Sequence, residues 1–215
     1  MIPLFHDFEG ETVVVVGGGS VGARKARRFA REATVVVLGE RFGDRAFGSA
    51  ARVRVSLAPE DATGWVEQAD PALVVTATDD ETLNDAFETA ARERGALVNR
   101  ADQRGGREAG SVVVPATVRD DPVVAALSTS GTSPALSRYL REQFEPVLSN
   151  AGAMAELTAD LREELEADGV EPARRRDVLR TVVRSQEVWT ALDSGGHNAR
   201  TRAADVIDEI AGETT

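Results

Sequence analysis

Residues 12–22 read TVVVVGGGSVG, and the fold turns on that stretch. Thr12–Val16 is an unbroken β-branched run, the composition of a strand buried on both faces of a sheet. Gly17, Gly19 and Gly22 follow at the spacing G-x-G-x-x-G, and Ala23–Arg31 has helical character. Each glycine meets a separate steric demand at a strand-to-helix turn that holds a pyrophosphate. The first permits the tight turn, the second lets backbone approach the phosphates, and the third lets helix and strand pack closely. Gly18, Ser20 and Val21 complete the loop, and the anion is met by N–H groups at the helix N-terminus. A Walker-type loop is excluded, because Gly22 is followed by Ala23 and not by lysine with serine or threonine. The stretch points to a dinucleotide; the alternative is a glycine-rich turn with no ligand.

Outward from the loop, strand and helix patterns alternate. Val35–Leu38, Val53–Leu57, Leu73–Ala77 and Ala96–Asn99 read as further strands. Asp79–Arg94 reads as a helix with Leu83, Ala86, Phe87, Ala90 and Ala91 on one face, stopped by Gly95. This alternation predicts an α/β fold with a Rossmann-type, doubly wound parallel sheet over residues 1–110. Beyond the polar stretch 102–110 the pattern changes. Ser111–Val118 and Val123–Ser128 flank the turn sequence Arg119-Asp120-Asp121-Pro122, and Ser133-Pro134 is a helix start running to about Leu148. Residues 111–149 are thus a small β-containing region. Residues 150–215 carry only helical patterns, broken at Asp168-Gly169 and Ser194-Gly195-Gly196.

An acidic residue about 20 positions beyond the loop binds the ribose hydroxyls in such sites. Glu40 fits by spacing, although Leu38-Gly39 occupy the strand tip. Arg41 stands next to it, where it could meet a 2′-phosphate; NAD is favoured over NADP.

The 36 acidic and 25 basic residues give a net charge of −11, which argues against nucleic-acid binding. Lys25 is the only lysine. An acidic, lysine-starved surface fits a salty cytoplasm, where ionic strength screens self-repulsion; biased genomic composition is the competing explanation. Cysteine is absent, which removes disulfides, thiolate chemistry and most zinc or iron–sulfur sites. No apolar run approaches the ~20 residues of a membrane span, and a cytoplasmic protein with no permanent metal is expected.

Counting removes several dehydrogenase chemistries. The only tyrosine, Tyr139, has Gln143 four residues on, where a tyrosine–lysine pair would need lysine. The histidines are His6 and His197, the latter in a glycine-rich segment and more simply read as solvated. Carboxylates remain as the main acid and base candidates. Asp102, taken by itself, is a turn aspartate ahead of a polar loop.

Pro3-Leu4-Phe5, VVVVGGGSVGARKA (13–26), ATDDETLN (77–84), Asn99 to Asp102 and SGTSPALSRYLRE (130–142) together resemble the precorrin-2 dehydrogenase module, which also forms the N-terminal part of bacterial sirohaem synthase. The resemblance covers roughly residues 1–150. It implies that precorrin-2, an octacarboxylate, loses a hydride to NAD⁺ and a proton to give sirohydrochlorin; some members also insert Fe²⁺. It implies a homodimer joined through the region 111–149. It places Gly17 to Val21, Thr78 and Asp79 at the cofactor and makes Asp102 the proton acceptor. Electrostatics bear on the substrate independently: a chain at −11 that binds an octacarboxylate needs local positive charge, and Arg24 and Lys25 follow the glycine loop while Arg100, Arg104 and Arg107 surround Asp102. The helix start at Ser130-Gly131-Thr132-Ser133 offers N–H donors to a carboxylate, and Asn99 is placed with these residues at the substrate. Ser130-Gly131 departs from the family's Gly-Gly, and the loop after Asp102 is longer than usual. The rival reading is a non-enzymatic NAD-sensing domain, which needs the glycine loop but neither Asp102 nor the turn at 130–133.

Overall fold

Alternation along Thr12–Val16 (β1) organises the first half of the chain. Val13 and Val15 enter one apolar cluster and Val14 and Val16 the other, so the strand is buried on both faces. The computed structural model describes residues 2–103 and 111–212. β1 pairs in parallel with Thr34–Gly39 (β2) on one side and Leu73–Thr76 (β4) on the other; Ala51–Arg54 (β3) and Leu97–Arg100 (β5) complete the order β3-β2-β1-β4-β5. Ser20–Phe29 (α1) covers the Val13/Val15 face through Ala23 and Ala26. Ala62–Ala69 (α2) and Glu81–Glu93 (α3) cover the other face through Val66, Leu83 and Phe87. Each fully buried valine contributes about 1.5–3 kcal/mol. The expected doubly wound sheet is present.

Four local differences from expectation have physical causes. First, α1 begins at Ser20, three residues before Ala23, so Gly22 lies inside its first turn. Second, β3 ends at Arg54 rather than continuing to Leu57, because its partner β2 ends at Gly39; the last ladder bond runs from the Val55 N–H to the Gly39 carbonyl. Third, α2, short and interrupted by Gly64, has no counterpart in the sequence reading. Fourth, Ser111–Val118 is not one strand. Its first residues join the edge of the parallel sheet, with the Val112 N–H donating to the Val98 carbonyl. Pro115, with no N–H, ends that association, and the hairpin strand starts at Ala116.

The chain divides into two compact units, Met1–Val114 with Ser130–Thr132, and Pro115–Thr129 with Ser133–Thr215. In the second, Ala116–Asp120 (β6) and Val123–Leu127 (β7) form a two-stranded antiparallel ribbon closed by Asp121-Pro122. Pro134–Val147 (α4) packs on this ribbon, with Ser133 as its N-cap. Ala151–Ala167 (α5), Pro172–Arg184 (α6), Gln186–Asp193 (α7) and Ala199–Gly212 (α8) bury Met154, Leu161, Leu179, Val182, Val188 and Leu192 against one another. The breaks fall at the expected glycines and once more at Ser185, whose hydroxyl caps α7. Among the described residues no helix is long and apolar enough to cross a membrane.

Candidate functional site

The glycine loop is shaped by what cannot fit there. Gly17 has φ +118°, a conformation L-residues rarely adopt, and a Cβ on it would stand 2.5 Å from the Ala77 carbonyl oxygen. A Cβ on Gly18 would overlap the Arg41 carbonyl, and one on Gly22 would overlap the Gly17 carbonyl, closing the contact between helix and strand. Gly19 differs: a Cβ there would meet nothing within 4 Å. No protein atom demands glycine at this position, which leaves its backbone open to approach from solvent. Gly19 is also the N-cap of α1, and no side chain caps that helix. The N–H groups of its first turn, on Ser20, Val21 and Gly22, are therefore available to an anion. These residues fit a dinucleotide.

Two clefts flank the loop at the carboxyl ends of β1 and β4, where the strand order reverses and ligands gather in open α/β sheets. One, of about 280 Å³, is lined by Gly17, Gly18, Glu40, Val55, Leu57 and Thr78. Glu40 is exposed at its rim and accepts a hydrogen bond from Ser56. Arg41 does not line this cleft; it is exposed and contributes its carbonyl against Gly18. The other, of about 410 Å³, brings together Val21, Thr78, Asp79, Asn84 and Asp102. Thr78 borders both.

Asn84 is the residue that sequence reasoning missed. It is fully buried, donates from Nδ2 to the Thr78 carbonyl at 3.0 Å, and accepts from the Thr78 hydroxyl at 2.8 Å. It thereby fixes the turn between β4 and α3, while Asp80 caps α3 by accepting from the Leu83 N–H at 3.0 Å. The available signal was a polar residue among the apolar positions Leu83, Phe87 and Ala91.

Asp102 lies just beyond β5, gripped by Arg100. Nε of Arg100 donates to Oδ1 at 2.9 Å and Nη2 to Oδ2 at 2.7 Å, a two-pronged fork. Nη1 of Arg100 turns the other way, to Asp85 at 2.5 Å and Glu88 at 2.6 Å on α3. Arg92 holds the second oxygen of Glu88 at 2.7 Å. Partial burial pushes the Asp102 carboxyl up, but the Arg100 fork, its own backbone N–H and the Asn84 amide outweigh that and hold it below the ordinary aspartate value. Glu88 is likewise pushed up by burial and brought below its usual value by Arg100 and Arg92.

This corrects one expectation. Arg100 is not positive charge held ready for a polycarboxylate; three carboxylates already surround it. Arg104 and Arg107 lie outside the described residues. Arg24 is exposed on α1. Lys25 is half-buried, and its Nζ donates to Asn99 Oδ1 at 2.7 Å while Asn99 Nδ2 donates to the Val112 carbonyl at 2.7 Å. The lysine therefore ties α1 to β5.

At the turn 130–133, Ser130 and Gly131 adopt φ +56° and +84°. Ser130 thus holds a left-handed conformation that glycine takes without strain. Ser133 accepts from the Leu136 N–H at 3.2 Å, and Pro134 has no N–H. Capping therefore consumes much of what this helix end could offer a carboxylate.

In the helical unit, a larger cleft of about 640 Å³ is lined mainly by arginines such as Arg175 and Arg176 with Leu179 and Val183. Arg175 pairs with Glu166 at 3.1 Å, and Arg174 and Arg176 are solvated at the start of α6. His197 is exposed and bonds to its own loop through the Gly195 carbonyl. Among the described residues no group of three or more His, Asp or Glu side chains is placed to hold a metal ion.

Comparison with known proteins places this geometry. The chain matches the family described as putative NAD(P)-binding over residues 4–116. Precorrin-2 dehydrogenase of Methanosarcina barkeri is 32% identical over 215 residues, covering 96% of this chain and 93% of that protein. Siroheme synthase 1 of Klebsiella pneumoniae is 33% identical over 218 residues, covering 99% of this chain and 45% of that protein. The chain therefore spans less than half the length of the siroheme synthase. Among solved structures, the precorrin-2 dehydrogenase SirC superposes with a TM-score of 0.66 over 99% of this chain and 100% of that one. At 21% identity, that likeness is one of fold.

Proposed function

Because the chain belongs to the precorrin-2 dehydrogenase family, we propose that it oxidises precorrin-2 to sirohydrochlorin in sirohaem synthesis with NAD as cofactor. The observation that carries the reading is the position of Asp102. Its carboxylate lines the same cleft as Val21 and Thr78, beside a glycine loop whose open position, Gly19, faces outward.

NAD⁺, when bound, supplies the hydride acceptor. The glycine loop and the first turn of α1 hold the pyrophosphate, and Glu40, steadied by Ser56, meets the ribose hydroxyls on the side that favours NAD over NADP. The Thr78 turn, fixed by Asn84, borders the reacting end. The reaction removes two electrons and a hydrogen nucleus as hydride from the tetrapyrrole, and one further proton. Asp102, held ionised, accepts that proton. The substrate's carboxylates are met by Arg24 and by the backbone of Ser130, Gly131 and Thr132, with Lys25 and Asn99 shaping the wall beside them.

The working form is a homodimer joined through residues 111–149. Leu136, Tyr139, Phe144 and Val147 of α4 are exposed, and α4 buries no residue. A two-stranded ribbon is marginal by itself, and a second copy would cover both features. Light scattering at micromolar concentration is expected to give twice the chain mass; the mass of one chain overturns the dimer. The enzyme works in the cytoplasm, where the NAD pool is.

The deciding assay is anaerobic turnover of precorrin-2 with NAD⁺ in high salt, followed by absorbance. Conversion with stoichiometric NADH is expected. A folded protein that binds NADH yet converts no precorrin-2 would overturn the reading and favour an NAD-sensing domain.

A further inference from the structure

Arg100 is the one charged side chain that is buried among the described residues. Its side chain is 5% exposed, against 20% for Asp102, 14% for Glu88 and 60% for Asp85. Such enclosure needs a reason, because a buried guanidinium is costly unless paired and hydrogen-bonded throughout. Here the pairing is not symmetric. Two carboxylates, Asp85 and Glu88, come from one helix, α3, and Arg100 itself ends β5, the edge strand of the parallel sheet. Asp102 alone stands on irregular chain past the strand end.

The terminal torsion of an unheld carboxylate is broad. A two-pronged guanidinium grip removes that freedom and sets the plane of the group. Arg100 therefore carries the rigidity of helix and sheet across to a loop carboxylate. The grip also leaves Asp102 its charge, because the single positive charge is shared among three carboxylates and partly answered by Asp85 and Glu88. Asp79, in the turn after β4, and Glu81, at the start of α3, line the same cleft and add no opposing cation.

We propose that Arg100 is a positioning residue for the proton-transfer step, acting through Asp102 and itself held in place by Asp85 and Glu88. This rests on Asp102 being the proton acceptor proposed above.

The test is kcat against pH for wild type, Arg100→Met, Arg100→Lys, Asp102→Asn and the two Arg100 variants combined with Asp102→Asn. NADH binding and thermal unfolding are measured alongside. A base works when ionised, so activity falls as pH drops through its pKa. Arg100 lowers that pKa, so Arg100→Met should move the acid limb to higher pH. It should also lower kcat about 100-fold, the size of effect expected from an ångström-scale misplacement, with NADH affinity unchanged. Arg100→Lys keeps the charge and loses the fork, so the acid limb should return toward wild type while kcat recovers only in part. In the Asp102→Asn background neither Arg100 variant should lower the residual rate further, since the two residues form one unit.

Equal losses with and without Asp102 would show that Arg100 acts by itself and overturn the inference. So would a loss of rate at all pH values matched by lost thermal stability, with the acid limb unmoved. Should Arg100→Met fail to fold, the Arg100→Lys pair is read in the same way. A fully active Asp102→Asn removes the acceptor assignment and this inference together; an impaired Asp102→Asn with additive Arg100 losses removes this inference alone.

Discussion

The sheet unit and the helical unit hold their shapes in opposite ways. In the first, the working surface is drawn largely by backbone: the glycine loop is defined by Cβ atoms that are missing, and the strands beneath it are valines buried on both faces. In the second, a contact of that kind occurs at Gly152, where a Cβ would overlap the Asp121 carbonyl, but the helix cluster is built otherwise. Four helices, α5 to α8, are held by side chains such as Met154, Leu161, Leu179 and Val182 around one cluster. The difference teaches which kind of change each can absorb. One added methyl is the dangerous error near the loop, and one removed side chain is the dangerous error among the helices.

Leu161→Ala tests the helical side and should have the largest effect. It removes a side chain that is 5% exposed, at a cost of about 2–5 kcal/mol, read in the thermal unfolding of the protein. NADH affinity measured well below that transition should not change; a parallel loss of affinity would break the contrast. Gly22→Ala tests the sheet side by insertion. Overpacking should cost about 1–3 kcal/mol and abolish detectable NADH binding by fluorescence. Gly19→Ala sharpens the point, because the added methyl meets no protein atom: stability should hold while NADH affinity falls at least about 10-fold, roughly 1.4 kcal/mol. Equal behaviour of the two glycine variants would show that the open side of Gly19 is not where the cofactor lies. Ser130→Gly should relieve the left-handed strain and stabilise by about 1 kcal/mol, seen as a raised midpoint of unfolding. His197→Ala, in the helical unit, should leave turnover and melting where they were; lost turnover would move chemistry into a region to which the proposed mechanism assigns none.

How much of this was legible in the sequence depended on distance along the chain. The loop at 17–22 was readable because its steric demands fall within a few residues. Helix α3 was readable because its apolar face repeats over three turns. The short helix at 62–69 was not, since Gly64 interrupts a segment with only two buried positions, Ala62 and Val66. The run 111–118 misled because one apolar stretch serves two roles, sheet edge before Pro115 and hairpin after Ala116. In the site, Asp102 could be named from its neighbours in sequence, but its environment could not. Asp85 and Glu88 reach Arg100 from 15 and 12 residues away, and Lys25 reaches Asn99 across 74. Charge counted along the sequence treated Arg100 as a free cation; only folding shows that its charge is already engaged.

The bond between Lys25 and Asn99 has a practical consequence. A lysine-specific endoprotease finds a single cleavable bond in these 215 residues, Lys25–Ala26, set in the middle of α1 behind the glycine loop. That bond is cut only when the helix opens and Lys25 lets go, so the rate of the single cut reports local opening of the loop and its helix. With the dinucleotide in place, digestion slows by the factor that binding adds to that local stability, and one band on a gel becomes a measure of occupancy that needs neither substrate nor turnover.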